Sequence, residues 1–200
     1  MGIGRQRLLI SDENSTISEG VDATGPAELT HDSLKNISDH LGDIFYTAEG
    51  GNWAAGVNLW LGKEDDRLDV LSVPSNPGST FLRTTTTVRA GPGEDTVNIA
   101  LDAEEHQGTV FVANGQANKD VINASQSTLG VILFGDGGDD RILGGLGRDV
   151  VFGDFGRVVW KSFPNVFDRS PIGVVTAVAG GDGKTLSVLL RHIFRESFNS

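Results

Sequence analysis

The sequence predicts an all-β chain, a right-handed parallel β-solenoid that ends in a β-roll and a short C-terminal extension. Three observations predict it. Residues Gly135 to Phe152 read GDGGDDRIL and then GGLGRDVVF, two tandem nine-residue blocks of the form G-G-x-G-x-D-x-apolar-x; the first departs only by Asp136 in place of the second glycine. A looser version of that turn recurs upstream, so that aspartates align at Asp66, Asp95, Asp120, Asp140 and Asp149, each followed two places later by an apolar residue: Leu68, Val97, Ile122, Ile142 and Val151. β-Branched and aromatic runs such as Thr84 to Val88 and Val110 to Val112 favour strand over helix, and the middle of the chain has no long apolar stripe at helical spacing.

Taken in order, residues 1–38 read as a polar, weakly structured N-terminal segment. The stretch LTHDSLKNISDHL, Leu29 to Leu41, is helix-like in its spacing. Residues 39–134 read as degenerate solenoid rungs, and residues 135–160 as the regular β-roll repeats. Residues 161–200 read as an extension with a further strand-turn and a short helix, LSVLLRHIF. The aligned aspartates are separated by 29, 25, 20 and 9 residues. A turn of about six residues and a strand of about three make half a coil, so a full coil takes roughly eighteen. Asp140 and Asp149 then lie on opposite edges. Asp66, Asp95, Asp120 and Asp140 share one edge if each coil carries one longer loop: Ser72 to Arg83, Ala100 to Gly108 and Ala124 to Gly130.

Composition narrows the function classes. The net charge is −11 with no basic patch, which disfavours nucleic acid and anionic membrane as partners. Twenty-seven glycines beside six prolines and 38% hydrophobic residues indicate many tight turns rather than disorder. Cysteine is absent, so disulfides and thiolate metal sites drop out. No run of eighteen apolar residues is present to span a bilayer, and the N-terminus lacks the apolar core of a signal peptide. The end of the chain lacks a polar capping unit, which is the expectation for a piece of a longer protein.

The paired blocks at Gly135 to Phe152 resemble the hemolysin-type (RTX-like) calcium-binding repeat family. That resemblance implies Ca²⁺ held between stacked turns, folding driven by the metal, and an extracellular or cell-surface setting. The residues give a physical reason beside it. Calcium takes six to eight oxygen ligands, more than one aspartate per turn supplies, so neighbouring turns must share it through carboxylates and backbone carbonyls. Gly135, Gly138, Gly144 and Gly147 are expected in backbone angles that side chains disfavour. The candidate ligand set comprises those four glycines with Asp136, Asp140 and Asp149, then Gly153, Asp154 and Gly156 from the following turn and Asp120 from the preceding one. The best site falls between the turns of Asp120 and Asp140, and the next between those of Asp140 and Asp154. Asp149 faces the other edge, where STLG offers few oxygens. In the turn after Asp140, Val158 stands where the aspartate belongs. Arg141, Arg148 and Arg157 add positive charge beside the turns, which weakens binding. At Asp66 and Asp95 the glycine pattern is incomplete, and metal-free turn capping stands level with calcium.

Other readings compete less well. Ala179 to Thr185, AGGDGKT, resembles the phosphate loop of nucleotide-binding proteins and the GGxGKT variant of ParA-like ATPases. Val178 replaces its first glycine, and the fifteen residues after Thr185 are too few for more strands or a magnesium-binding aspartate. His31, His40, His106 and His192 are scattered without metal-ligand spacing, no G-x-S-x-G elbow occurs, and no enzyme is expected. Trp53, Trp60 and Trp160 read as packing rather than a sugar platform, and Asn14, Asn36 and Asn123 open short glycosylation patterns that arise readily by chance. A metal-independent structural or adhesive solenoid remains the main alternative.

Overall fold

A computed structural model describes residues 4–21, 25–37, 42–49, 51–76, 83–154, 156–161 and 172–177. In chain order the strands are β1 (Gly4–Arg5), β2 (Leu8–Ser11), β3 (Ala27–Leu29), β4 (Ser33–Lys35), β5 (Ile44–Phe45), β6 (Gly51–Asn52), β7 (Val57–Trp60), β8 (Arg67–Val70) and β9 (Thr84–Pro92). They continue as β10 (Thr96–Ile99), β11 (Thr109–Ala117), β12 (Val121–Asn123), β13 (Ile132–Gly137), β14 (Arg141–Leu143), β15 (Val150–Phe152), β16 (Gly156–Lys161) and β17 (Ile172–Ala177). Among the described residues there is no helix, so none is long and apolar enough to cross a membrane.

Two sheets carry the fold. One is parallel throughout, in the order β15-β13-β11-β9-β7-β2. The other runs β14-β12-β10-β8-β3-β4-β5, parallel from β14 to β3 and antiparallel over β3, β4 and β5. From β7 to β15 successive strands alternate between the sheets, so every parallel neighbour is reached through a strand of the other sheet.

Side-chain period explains why the sheets face each other. In the mixed sheet the register stacks Ala27, Leu68, Val97, Ile122 and Ile142 in one column. In the parallel sheet it stacks Ile10, Leu59, Val88, Ala113, Leu133 and Val151. Members of both columns belong to one buried cluster, so the core lies between the sheets. Each fully buried Leu, Ile or Val stabilises by roughly 1.5–3 kcal/mol, and a slip of one residue would turn a whole strand's apolar set outward. Of the five apolar residues two places past the aspartates, four stack in the mixed sheet. Val151 instead opposes Leu133 in the parallel sheet and is 41% exposed.

The predicted fold class is therefore corrected. A right-handed parallel β-solenoid requires one winding direction and parallel pairing throughout, whereas the chain forms a mixed seven-stranded sheet and a parallel six-stranded one. The departures fall at two places with distinct causes. Leu29 to Leu34, expected in a helix-like stretch, is a hairpin in which Leu29 opposes Leu34. Thr30 N–H donates to Ser33 O, and the Thr30 hydroxyl bonds Asp32 and Ser33, chemistry that favours a turn. At the other end the expected roll through Trp160 is not continued. β16 pairs antiparallel with β17, and the absence of an aspartate at Val158 removes the side chain that ties each earlier turn to its predecessor. Residues 1–38, read as weakly structured, supply β1 to β4 and bury Leu29 and Leu34. The nucleotide-loop candidate Ala179 to Thr185 and the helix-like LSVLLRHIF lie outside the described residues.

Candidate metal centre

On the edge between β7 and β8, β9 and β10, β11 and β12, and β13 and β14, four turns stack, each ending in an aspartate. One bond recurs between them. Asp140 Oδ1 accepts the backbone N–H of Asp120 at 3.0 Å, Asp120 Oδ1 that of Asp95 at 2.9 Å, and Asp95 Oδ1 that of Asp66 at 2.8 Å. Asp66 Oδ1 completes the row by accepting the N–H of Glu19 at 2.7 Å. A backbone bond returns beside each: Arg141 N–H donates to Asp120 O, Val121 to Asp95 O, Thr96 to Asp66 O and Arg67 to Glu19 O, all at 2.8 Å. The peptides of Asp66, Asp95 and Asp120 are thus tied on both sides, and the carboxylates act first as caps for a neighbouring turn.

The second carboxylate oxygens divide the row. Asp66 Oδ2 accepts Gly62 N–H at 3.0 Å, so that side chain is satisfied. Asp95, Asp120 and Asp140 each bury Oδ2 without any hydrogen-bond partner. A buried carboxylate oxygen lacking a donor is costly, because it has left water and gained nothing. Accordingly, burial pushes the Asp95 carboxyl up to about 8 against the opposing help of the Asp66 N–H, and the Asp120 carboxyl up to about 7 against that of the Asp95 N–H. Burial also raises Asp140, with the charges of Asp154, Asp136 and Asp139 adding to it.

Glycine decides what those oxygens can meet. A β-carbon on Gly135 would collide with Asp140 Oδ2 and with the carbonyl of Gly153 in the next turn. A β-carbon on Gly115 would collide with Asp120 Oδ2 and crowd the carbonyl of Gly135. A carboxylate oxygen and a carbonyl of the following turn therefore both lie against each glycine, and the carboxylate oxygen has no hydrogen-bond donor there. The corresponding positions of the earlier turns hold the buried Leu61 and Ala90 in place of glycine. The cradle is thus confined to the turns of Asp120 and Asp140.

The remaining sequence candidates separate by place. Asp149 lies on the opposite edge, between β14 and β15, with both oxygens engaged: Val131 N–H at 3.0 Å and Gly145 N–H at 2.6 Å. It is a satisfied turn cap. Gly144 faces Asp149, and a β-carbon on Gly147 would strike Leu129 and Gly130. Gly138 has φ +148° and packs against Asn118 O. The expected left-handed angles are not found at Gly135, Gly144 and Gly147; close approach of neighbouring atoms is what excludes a side chain at Gly135 and Gly147, while Asp136 carries a left-handed φ of 69°. Gly153 and Asp154 close the edge beyond Asp140, and Gly156 opens β16. Among the described residues no Lys or Arg nitrogen comes within ion-pair distance of the row, so Arg141 and Arg148 leave its carboxylates uncompensated; the Arg157 side chain lies outside the described set.

Several participants escaped the sequence reading. Gly115 is one of them, and its signal in the sequence is a glycine five places before Asp120, matching Gly135 before Asp140. Gln116 and Asn118 take φ values of 79° and 78°, standing in for glycine, a backbone that asparagine tolerates and glutamine does not. Glu19 is 1% exposed, donates its N–H to Asp66 and holds a carboxyl pushed up to about 9 by burial and by the adjoining Asp66 and Asp12 carboxylates. Among the described residues no group of three or more His, Cys, Asp or Glu side chains converges in a metal-holding arrangement, so a cation on this edge would draw on carbonyls as well. Comparison of the chain with protein-family models, curated proteins and solved structures finds no match.

Proposed function

We propose that the chain binds calcium between the stacked turns of Asp120 and Asp140, and between those of Asp140 and Asp154, and is stabilised by it. The observation that supports this most is the unpaired, buried Oδ2 of Asp120 and Asp140, each converging with a carbonyl of the next turn on a glycine. A buried carboxylate oxygen without a donor is relieved by a cation or by a proton. Calcium takes carboxylate and carbonyl oxygens together and tolerates irregular geometry, which fits this donor set. Asp120, Asp140, Asp154 and the carbonyls of Gly135 and Gly153 would hold it, and the metal's contribution is charge neutralisation. At affinities like those of extracellular calcium modules, about 10⁻⁴–10⁻³ M, the site fills outside cells and not in cytosol, so the reading carries an extracellular or cell-surface setting. Nothing in the row favours a polyanionic partner such as nucleic acid.

Calcium titration of the purified chain tests this, followed by circular dichroism and thermal melting with magnesium as control. The expected result is a saturable rise in Tm, by mass action, together with release of protons from carboxyls that titrate near neutral pH. A second reading has its own support: Asp66 and Asp149 are fully satisfied without metal, so the whole row is also intelligible as neutral caps of a metal-independent structural protein. Unchanged Tm and no proton release in millimolar calcium would select that reading.

A further inference from the structure

We propose that a cleft beside β5 is a binding site for a neutral carbohydrate. The cleft has a volume of about 690 Å³, within the range of ligand pockets, and lies away from the aspartate row. Its edges come from five segments: His31 and Asp32 in the β3–β4 turn, Phe45 on β5, Trp53 after β6, Ser72 after β8 and Glu105 before β11.

The floor is fixed before any ligand arrives. Tyr46 is buried, donates its hydroxyl to Thr30 O at 2.5 Å, and meets Trp53 edge-on with ring centroids 6.1 Å apart. His106, 3% exposed, accepts Val73 N–H at Nε2 (3.2 Å) and pairs through Nδ1 with Asp102 O (2.7 Å), pinning the Val73 segment to the β10–β11 loop. On the rim, Ser72 Oγ accepts the His31 N–H at 2.9 Å and Asp32 Oδ1 accepts the Thr30 hydroxyl at 2.9 Å, while the Phe45 ring stands open. Phe45 leaves 70% of its surface in water, a large ring that no core requires.

Charge and shape select the ligand class. No Lys or Arg lines the cleft among the described residues, while Asp32 and Glu105 do, and the chain carries −11 overall; phosphates and other anions are disfavoured. A cationic ligand would meet like charge at the one exposed ring, because Lys35 Nζ sits 5.9 Å from the centre of Phe45. A sugar ring matches what is left. Its C–H face packs on an exposed aromatic ring, and its hydroxyls donate to carboxylates and exchange bonds with serine hydroxyls and imidazole.

The test is isothermal titration calorimetry of the full chain, with calcium present, against cellohexaose, laminarihexaose and xylohexaose. A polygalacturonate oligomer and tetralysine serve as anionic and cationic probes. At least one neutral hexasaccharide should bind, and Phe45→Ala should weaken it about tenfold. Leu9→Ala, at an exposed apolar residue of β2 outside the cleft, should leave it unchanged. Glu105→Gln, on an exposed loop, should weaken it severalfold and serves if Phe45→Ala fails to fold by circular dichroism. Absence of binding by all three sugars up to about 10 mM, binding by tetralysine or polygalacturonate alone, or affinity indifferent to both substitutions would overturn the proposal.

Discussion

Gly135 and Asp140 lie five residues apart and face each other across one turn, with no room for a β-carbon between the Gly135 backbone and the Asp140 carboxylate. Gly135→Ala therefore forces that carboxylate, or the Gly153 carbonyl, to move. The expected loss is about 1–3 kcal/mol of stability, as for other overpacked sites, together with loss of calcium-dependent stabilisation. Denaturant unfolding with and without calcium measures both. Wild-type behaviour of the variant in both media would contradict the cradle.

Asp140→Ala and Asp66→Ala should separate binding from capping. Asp140→Ala lowers calcium affinity clearly, because it removes an unpaired oxygen. Asp66, 2% exposed, accepts two N–H groups through its two oxygens, so Asp66→Ala strands both donors at about 1–3 kcal/mol each while leaving calcium affinity nearly unchanged. Equal losses of affinity in the two variants would refute the assignment of the metal to the later turns.

The pH dependence follows from carboxyls raised in the folded state: Glu19 to about 9, Asp95 to about 8 and Asp120 to about 7. Between the ordinary carboxylate range near pH 4 and these values, the folded chain holds protons that the unfolded chain has released. Stability without metal is thus fully present below about pH 4 and falls as pH rises toward about 9. In chelator, Tm should decline across that window, and Glu19→Gln, which stays neutral, should flatten the decline. Calcium should raise Tm more at the alkaline end than at the acidic end. A chelated Tm that climbs from acid to neutral pH would be incompatible with the buried carboxyls described.

Gln116 holds a φ of 79° at an exposed position near the end of β11, a conformation its side chain disfavours. Gln116→Gly removes that strain without deleting a buried contact and should stabilise by up to about 1 kcal/mol, read as a higher Tm. A drop in Tm would mean that the side chain contributes a contact worth more than the strain.

The aspartate row was legible because its cause is local: one aspartate closing each tight turn, and an apolar residue two places on that belongs to the following strand. Asp66, Asp95, Asp120 and Asp140 do stack on one edge with Asp149 opposite, and the loops fall at Ala100 to Gly108 and after Ala124 as the spacing implied. The sheet arrangement was less legible. Leu34, Ile37 and Leu41 recur at helical intervals of three and four, and only the Thr30–Asp32–Ser33 side-chain bonds, invisible to periodicity, turn the start of that stretch back on itself. Glu19 carried no signal, since its role depends on a partner 47 residues away. The end of the stacked turns was marked by Val158, but the antiparallel pairing of β16 with β17 depends on a strand that resembles none of the repeats.

The ladder has a direction. On both edges a later carboxylate reaches back to an earlier peptide: Asp140 to Asp120, Asp120 to Asp95, Asp149 to Val131. A ribosome delivers these turns in the opposite sense, so each one emerges with its N–H groups unclaimed and is completed only by the turn made after it. The last-made bends are therefore the clasp for all the earlier ones, and chains interrupted upstream of Gly135 would leave the synthesis machinery open-ended at Asp120.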